Sequence, residues 1–266
     1  MAKAARMSVW LEDPAARAPR TRRSEQPSGL DRERITEASV RLLDAEGLAK
    51  FSMRRLAGEL GVTAMSVYWY VDTKDDLLEL ALDRVFAELT VPAPEAVDAG
   101  DWRVHLRELA ASYRAVIVRH PWISPQMGNY LNIGPNSLRF SRAVQRVVAA
   151  TGLSLTRQRG AIASVFQFVY GYGTIEGHFR RRCAEAGLSQ DDYFRDAMAV
   201  FEVPQEMAED FKHADEMVAA VESGLTVEEM RDMDFQVALD LLVAGIEALV
   251  AQEAREPRET QGTPES

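Results

Sequence analysis

The side chains best equipped for chemistry cluster between positions 51 and 74. They are Arg54, the run Ala64-Met65-Ser66-Val67-Tyr68-Trp69-Tyr70, and Lys74. A guanidinium, an ammonium and two phenols in so short a stretch suit recognition of an anionic lattice better than bond-making. Arginine pairs with guanine through two parallel hydrogen bonds, and Lys, Tyr and Ser donate to phosphate oxygens. Ala64 and Met65 carry no donor or acceptor, so they read at most the methyl group of thymine. Plainer readings stand beside this one. Arg54 alone is an ordinary solvated charge, Lys74 a surface lysine next to Asp75 and Asp76, and aromatic clusters are more often core than site. Trp69 suits the core, whereas Tyr68 and Tyr70 leave a helix on different sides, so at least one of them meets solvent.

Catalytic constellations are missing from the pattern. His105, His120, His178 and His213 are scattered without metal-ligand spacing. Cys183 follows Arg180-Arg181-Arg182, which favours a thiolate, but no base accompanies it. The run Gly171 to Gly177 superficially matches a nucleotide loop, yet it follows an apolar helical stretch where a strand is required. No enzyme, cofactor or metal is expected. A single cysteine among 266 residues cannot close an internal disulfide, which suits a reducing cytoplasm. No run of about 18 apolar residues offers a membrane span, and the start lacks the apolar core of a leader peptide.

Net charge is −10, which by itself disfavours DNA. Its distribution does not. Lys3, Arg6, Arg17, Arg20, Arg22 and Arg23 outnumber Glu12, Asp13 and Glu25 before residue 31, and the acidic excess lies mainly after residue 90. Distal charge is screened beyond about 8–10 Å.

The elements follow from periodicity and punctuation. Residues 1–29 hold Pro14, Pro19, Pro27 and Gly29 without an apolar period and read as a disordered basic arm. Its arginines are either plain solubilising charge or an arm for the adjacent minor groove. Asp31 caps a helix with Ile35, Ala38, Leu42 and Leu43 on one face, ended by Gly47 at a left-handed position. Ser52 caps a second helix burying Leu56, Ala57 and Leu60 up to Gly61. Thr63 caps a third, over 64–71, pinned by Val67 and Val71. A fourth covers 74–89, and 92–100 breaks the pattern as a domain boundary. Further helices are predicted over 101–119, 136–151, 156–186, 190–201 and 228–251, with a charged tail over 253–266. The fold class is all-α: a head at 30–90, with its helix-turn-helix at about 53–72, and a larger helical body at 91–252.

At this point the sequence resembles the tetracycline-repressor (TetR) family. The resemblance rests on Ile35, Ala38, Gly47, Arg54-x-Leu56-Ala57-x-x-Leu60-Gly61-Val62, Val67-Tyr68-Trp69-Tyr70-Val71 and Lys74-x-x-Leu77, and covers residues 30–85 densely. A weaker likeness runs from Phe235 through Glu247. The resemblance implies a homodimer whose heads enter successive major grooves of a palindromic operator, and a body that binds a small-molecule effector and moves the fourth helix. Carried over by position, Arg54, Ala64, Met65, Ser66, Tyr68, Tyr70 and Lys74 would face DNA. Leu239, Leu242, Val243, Ile246 and Leu249 form the expected dimer stripe. Trp102, His105, Trp122, Met127, Asn129, Tyr130, Phe166, Tyr170, Glu176 and His178 are available to line a mostly apolar ligand site. Activation in place of repression, or a scaffold that binds no operator, are the alternatives.

Overall fold

The computed structural model describes residues 8–11, 29–200 and 223–255. Arg17, Arg20, Arg22, Arg23, Phe201, His213 and residues 256–266 lie outside that set. Among the described residues there are eleven α-helices and no strand. The head comprises α1 (Arg32–Glu46), α2 (Met53–Leu60), α3 (Ala64–Tyr68) and α4 (Lys74–Phe86). The body comprises α5 (Pro94–Ala99), α6 (Trp102–Arg119), α7 (Ser124–Met127), α8 (Pro135–Ala149), α9 (Leu155–Ala186), α10 (Gln190–Val200) and α11 (Val227–Glu253).

Caps set the head's boundaries. Asp31 accepts from Arg34 N–H, Ser52 from Arg55 N–H and Thr63 from Ser66 N–H, and Thr73 forms a reciprocal box with Asp76. Gly61 ends α2 with φ 68° and ψ 29°, the left-handed turn that the sharp α2–α3 corner requires. Gly47 also has positive φ, but its ψ of 168° is extended, so α1 ends without the expected left-handed residue. Ile35, Ala38, Leu42 and Leu43 meet Leu56, Ala57, Val67, Leu77, Leu78 and Ala81 in the head's core. Truncating such a residue to Ala costs about 2–5 kcal/mol.

Four further expectations need correction. The third helix stops at Tyr68, because its last turn tightens into Tyr70 N–H to Val67 C=O and then opens. The segment around 92–100 holds a short helix, α5, started by Pro94. And residues 8–11, expected within a disordered arm, form a 3-10 turn with Ser8 and Val9 buried against α4. At the other end, Glu253, assigned to the tail, belongs to α11 and accepts from Ser154 N–H at 2.9 Å.

In the body, α6 crosses α9 closely. Two glycines of the run that superficially matches a nucleotide loop make this possible. A Cβ at Gly173 would stand 3.2 Å from Ile117 Cβ, and one at Gly177 3.2 Å from the Ile117 carbonyl oxygen. Small residues there let two helix backbones approach.

Candidate nucleic-acid interface and the body that controls it

The short α3 separates two jobs by face. Val67 is fully buried and Ser66 nearly so, which fixes the helix on the head. Met65 is 64% exposed and Tyr68 41%, and Ala64 is half-buried beside them. Arg54, one helix earlier, is exposed and makes no ion pair among the described residues, whereas its neighbour Arg55 is bound to Glu46. The outward surface of the corner is therefore Arg54, Ala64, Met65 and Tyr68.

Three of the sequence-assigned contacts are placed differently. Tyr70 is a correction: its ring is buried in the head's core, burial pushes its phenol pKa up, and Arg32 donates to its carbonyl at 3.0 and 3.2 Å. Ser66 turns its hydroxyl to Thr63 Oγ, 2.9 Å away, within the cap of α3. Lys74 donates to the Phe51 carbonyl at 2.9 Å, with its ammonium 5.5 Å from the Phe51 ring centre. It ties the start of α4 to the start of α2.

Helix α4 is clasped by the body. Its buried Asp83 accepts from Ser137 N–H (2.9 Å), Ser137 O–H (3.0 Å) and the Asn136 amide (3.0 Å), so a residue of the head caps α8. A side chain at Gly134 would collide with Asp83. In return Arg139 of α8 donates to the carbonyls of Phe86, Ala87 and Leu89 at the end of α4. A second joint lies at the end of α1. His120 Nδ1 stands 2.7 Å from Asp44 and Nε2 3.2 Å from Glu88, and Trp122 donates to Asp44 at 2.7 Å. Burial alone would lower the imidazole pKa. The bonds and charges of Asp44 and then Glu88 outweigh it and hold the pKa above the ordinary 6.5.

The expected ligand residues split into groups. Met127, Phe166 and Tyr170 meet around Tyr113, whose hydroxyl donates to Met127 S at 3.2 Å. Phe86, Phe140 and Phe166 surround the Tyr113 ring at centroid distances of 6.5, 5.4 and 5.8 Å. Tyr170 donates to the Ser124 carbonyl. Tyr130 lies near α4, where burial first, and then Asp75, Glu79 and Asp76, push its phenol up to about 12. The others do not join. Trp102 stacks on Arg103, and His105 bonds Glu108 and the Ala96 carbonyl. Trp122 belongs to the His120 joint, and Glu176 is paired with the buried Arg114 at 2.7 Å. Asn129 and His178 are exposed. Tyr113, Phe140 and Phe86 were missed. Tyr113 continues the inward Leu106, Leu109, Ile117 phase of α6, which was the available signal. An open cleft of about 990 Å³ lies elsewhere, between α1, α6, α9 and α11, and is floored by the Arg114–Glu176–Asp232 ion pairs.

The residues expected to form a dimer stripe face mostly into their own chain. Leu239, Val243 and Ile246 are buried within the chain, and Leu242 and Leu249 are half-buried. The outward apolar residues of α11 are Met233, Val237 and Leu241, spaced i, i+4, i+8, with Ile175 exposed on α9. Because α11 is apolar on most sides, its phase could not be read from composition alone.

A helix-turn-helix whose second helix shows its outer face, on a helical body, defines a DNA-binding regulator of the kind that couples head to body. Residues 35–81 match the family of bacterial regulatory proteins, tetR family, and residues 93–250 match the tetracyclin repressor-like C-terminal domain. The chain belongs to the tetR family. An HTH-type transcriptional regulator of Saccharopolyspora erythraea is 38% identical over 159 residues, 59% of this chain and 65% of that one. The HTH-type transcriptional repressor DrrR1 of Streptomyces coeruleorubidus is 32% identical over 185 residues, 69% of this chain and 67% of that one. The matched stretches thus span close to two thirds of these relatives. The structure of ActR from Streptomyces coelicolor with actinorhodin superposes with a TM-score of 0.61 at 25% identity, covering 84% of this chain and 97% of that chain. Among the described residues no helix is long and apolar enough to cross a membrane, and no group of three or more His, Cys, Asp or Glu is arranged to hold a metal.

Proposed function

We propose that this chain is a repressor acting as a homodimer on a palindromic operator in the cytoplasm, released by a small aromatic effector, and that it catalyses no reaction. The observation that carries the DNA reading is the two-faced α3. Val67 and Ser66 hold it, while Ala64, Met65 and Tyr68 face outward beside the exposed Arg54. On this reading residues 30–90 form the head and 91–252 the regulatory body. Two copies pair through the outer faces of α9 and α11, as in a four-helix interface. Arg54 reads bases and Tyr68 holds a phosphate.

The effector seat is the Phe86–Tyr113–Phe140–Phe166 cluster with Met127 and Tyr170. Aromatic and thioether lining with two phenols suits a flat, mostly apolar molecule carrying a few polar groups. The ActR structure in complex with actinorhodin supports the binding of a small molecule by a body of this fold. Phe86 closes α4, so a guest wedged against it displaces the helix that carries the head. Such a guest acts only through its higher affinity for the displaced state.

Capture of genomic fragments by the purified protein, sequenced across a salt series, tests the proposal. A short palindrome is expected, with Arg54→Ala costing about 1–3 kcal/mol and relaxing specificity at one position. Sequence-independent, salt-labile binding, or none, would leave only the scaffold.

A further inference from the structure

Helix α4 carries three buried carboxylates, of which Asp76 caps the helix itself, while Glu79 and Asp83, one turn apart, serve different elements. Asp83 caps α8 of the body. Glu79 is taken by the chain's own N-terminal segment, 70 residues earlier. Ser8 Oγ donates to Glu79 Oε1 at 2.5 Å and the Val9 amide donates to Oε2 at 2.8 Å, so both oxygens are engaged. The turn is closed internally by Trp10 N–H to Ser8 Oγ at 3.2 Å and Leu11 N–H to the Ser8 carbonyl at 3.3 Å. Val9 is 3% exposed and belongs to the molecule's main hydrophobic core, with Trp10 packed against it.

A buried carboxylate is tolerated only where donors meet it. At Glu79 those donors sit on a segment that docks only while α4 presents Glu79 and the apolar bed of Val9 in register. Docking and the position of α4 are therefore thermodynamically linked, whichever moves first.

We propose that Ser8–Leu11 is an intrachain brace. By engaging Glu79 it holds α4 in the arrangement seen here and so favours the DNA-binding state. This rests on α4 being the link between body and head. Undocking the brace frees α4 to shift, and anything that shifts α4 undocks the brace.

Hydrogen exchange of the α4 amides in the full chain, without DNA, tests the docking, and affinity for the captured operator fragment tests its consequence. Ser8→Ala and Val9→Asp attack the brace; Glu79→Ala removes its anchor, with Glu79→Gln as a shape-conserving control that still offers Val9 an acceptor. Exchange across α4 is expected to rise about fivefold or more in Val9→Asp and in Glu79→Ala, with operator affinity weakened by about fivefold. The Val9→Asp/Glu79→Ala double variant should be no worse than the worse single one, and Glu79→Gln should recover part of the loss. Unchanged α4 exchange in both brace variants overturns the proposal, as does full additivity in the double variant. Raised exchange with unaltered operator affinity overturns the link to DNA binding. Should Glu79→Ala fail to fold, the two brace variants and Glu79→Gln still decide. If no operator is captured, the exchange arm still reads docking, and the failure falls on the repressor assignment.

Discussion

Tyr68 and Tyr70 are two positions apart and meet different fates. Tyr68 lies on the outer face of α3, and Tyr70 has passed the end of the helix into the core, where its hydroxyl is buried with no hydrogen-bond partner among the described residues. Leaving a buried polar group unpaired costs about 1–3 kcal/mol. Tyr70→Phe should therefore leave operator affinity unchanged and raise stability by about 1 kcal/mol, read as the urea midpoint. Tyr68→Ala should do the reverse, leaving the midpoint within about 0.5 kcal/mol while weakening binding and reducing its salt slope by about one. The sequence made plain that one tyrosine had to be wet. Which one depended on where α3 ends, and a helix of five residues is too short for its period to show that.

At the scale of elements, the joint between α4 and α8 is reciprocal: Asp83 satisfies the first amides of α8, and Arg139 satisfies the last carbonyls of α4. Asp83→Ala removes a cap worth about 0.5–2 kcal/mol and should raise exchange selectively in the first turn of α8. At the α6–α9 crossing, Gly173→Val would press on Ile117 and should destabilise by about 1–3 kcal/mol, measured by urea unfolding. The helices and most of their inward faces were legible, because caps and apolar periods are local signals. Long-range caps are not. Nothing near Asp83 in sequence tells that its partners are Asn136 and Ser137, and the four-residue segment Ser8–Leu11 meets a helix 70 positions away.

Across the whole molecule, His120 joins the end of α1, the stretch after α4 and the body. Its neutral ring has one N–H, so serving Asp44 and Glu88 together requires the imidazolium. Its pKa is raised, so its contribution is complete below 6.5 and is lost as pH rises through the raised value. Burial works against the ionised Glu88, but His120 and Arg119 hold its pKa below 4.5. That contribution is complete above 4.5 and is lost as pH falls. The joint should be firmest between those limits. In a pH series of urea midpoints, His120→Gln should flatten the alkaline limb. Assembly is tested on α11: Leu241→Asp, on the outer face, should give folded monomers in sedimentation, whereas Leu239→Asp, facing its own chain, should unfold the body. The aromatic seat was half legible for a related reason. Met127, Phe166 and Tyr170 stood out by type, but only the crossing of α6 and α9 shows that Tyr113 is their centre.

The division of labour across α3 has a consequence for how such proteins diverge. Its anchoring residues, Ser66 and Val67, are distinct from those it shows outward, so on the proposed reading single codon changes at 65 or 68 alter what is read with little effect on the fold. On that reading a duplicated gene acquires a new target sequence in a few steps while retaining its effector, and the proposed seat around Tyr113 can be remodelled with the old target intact.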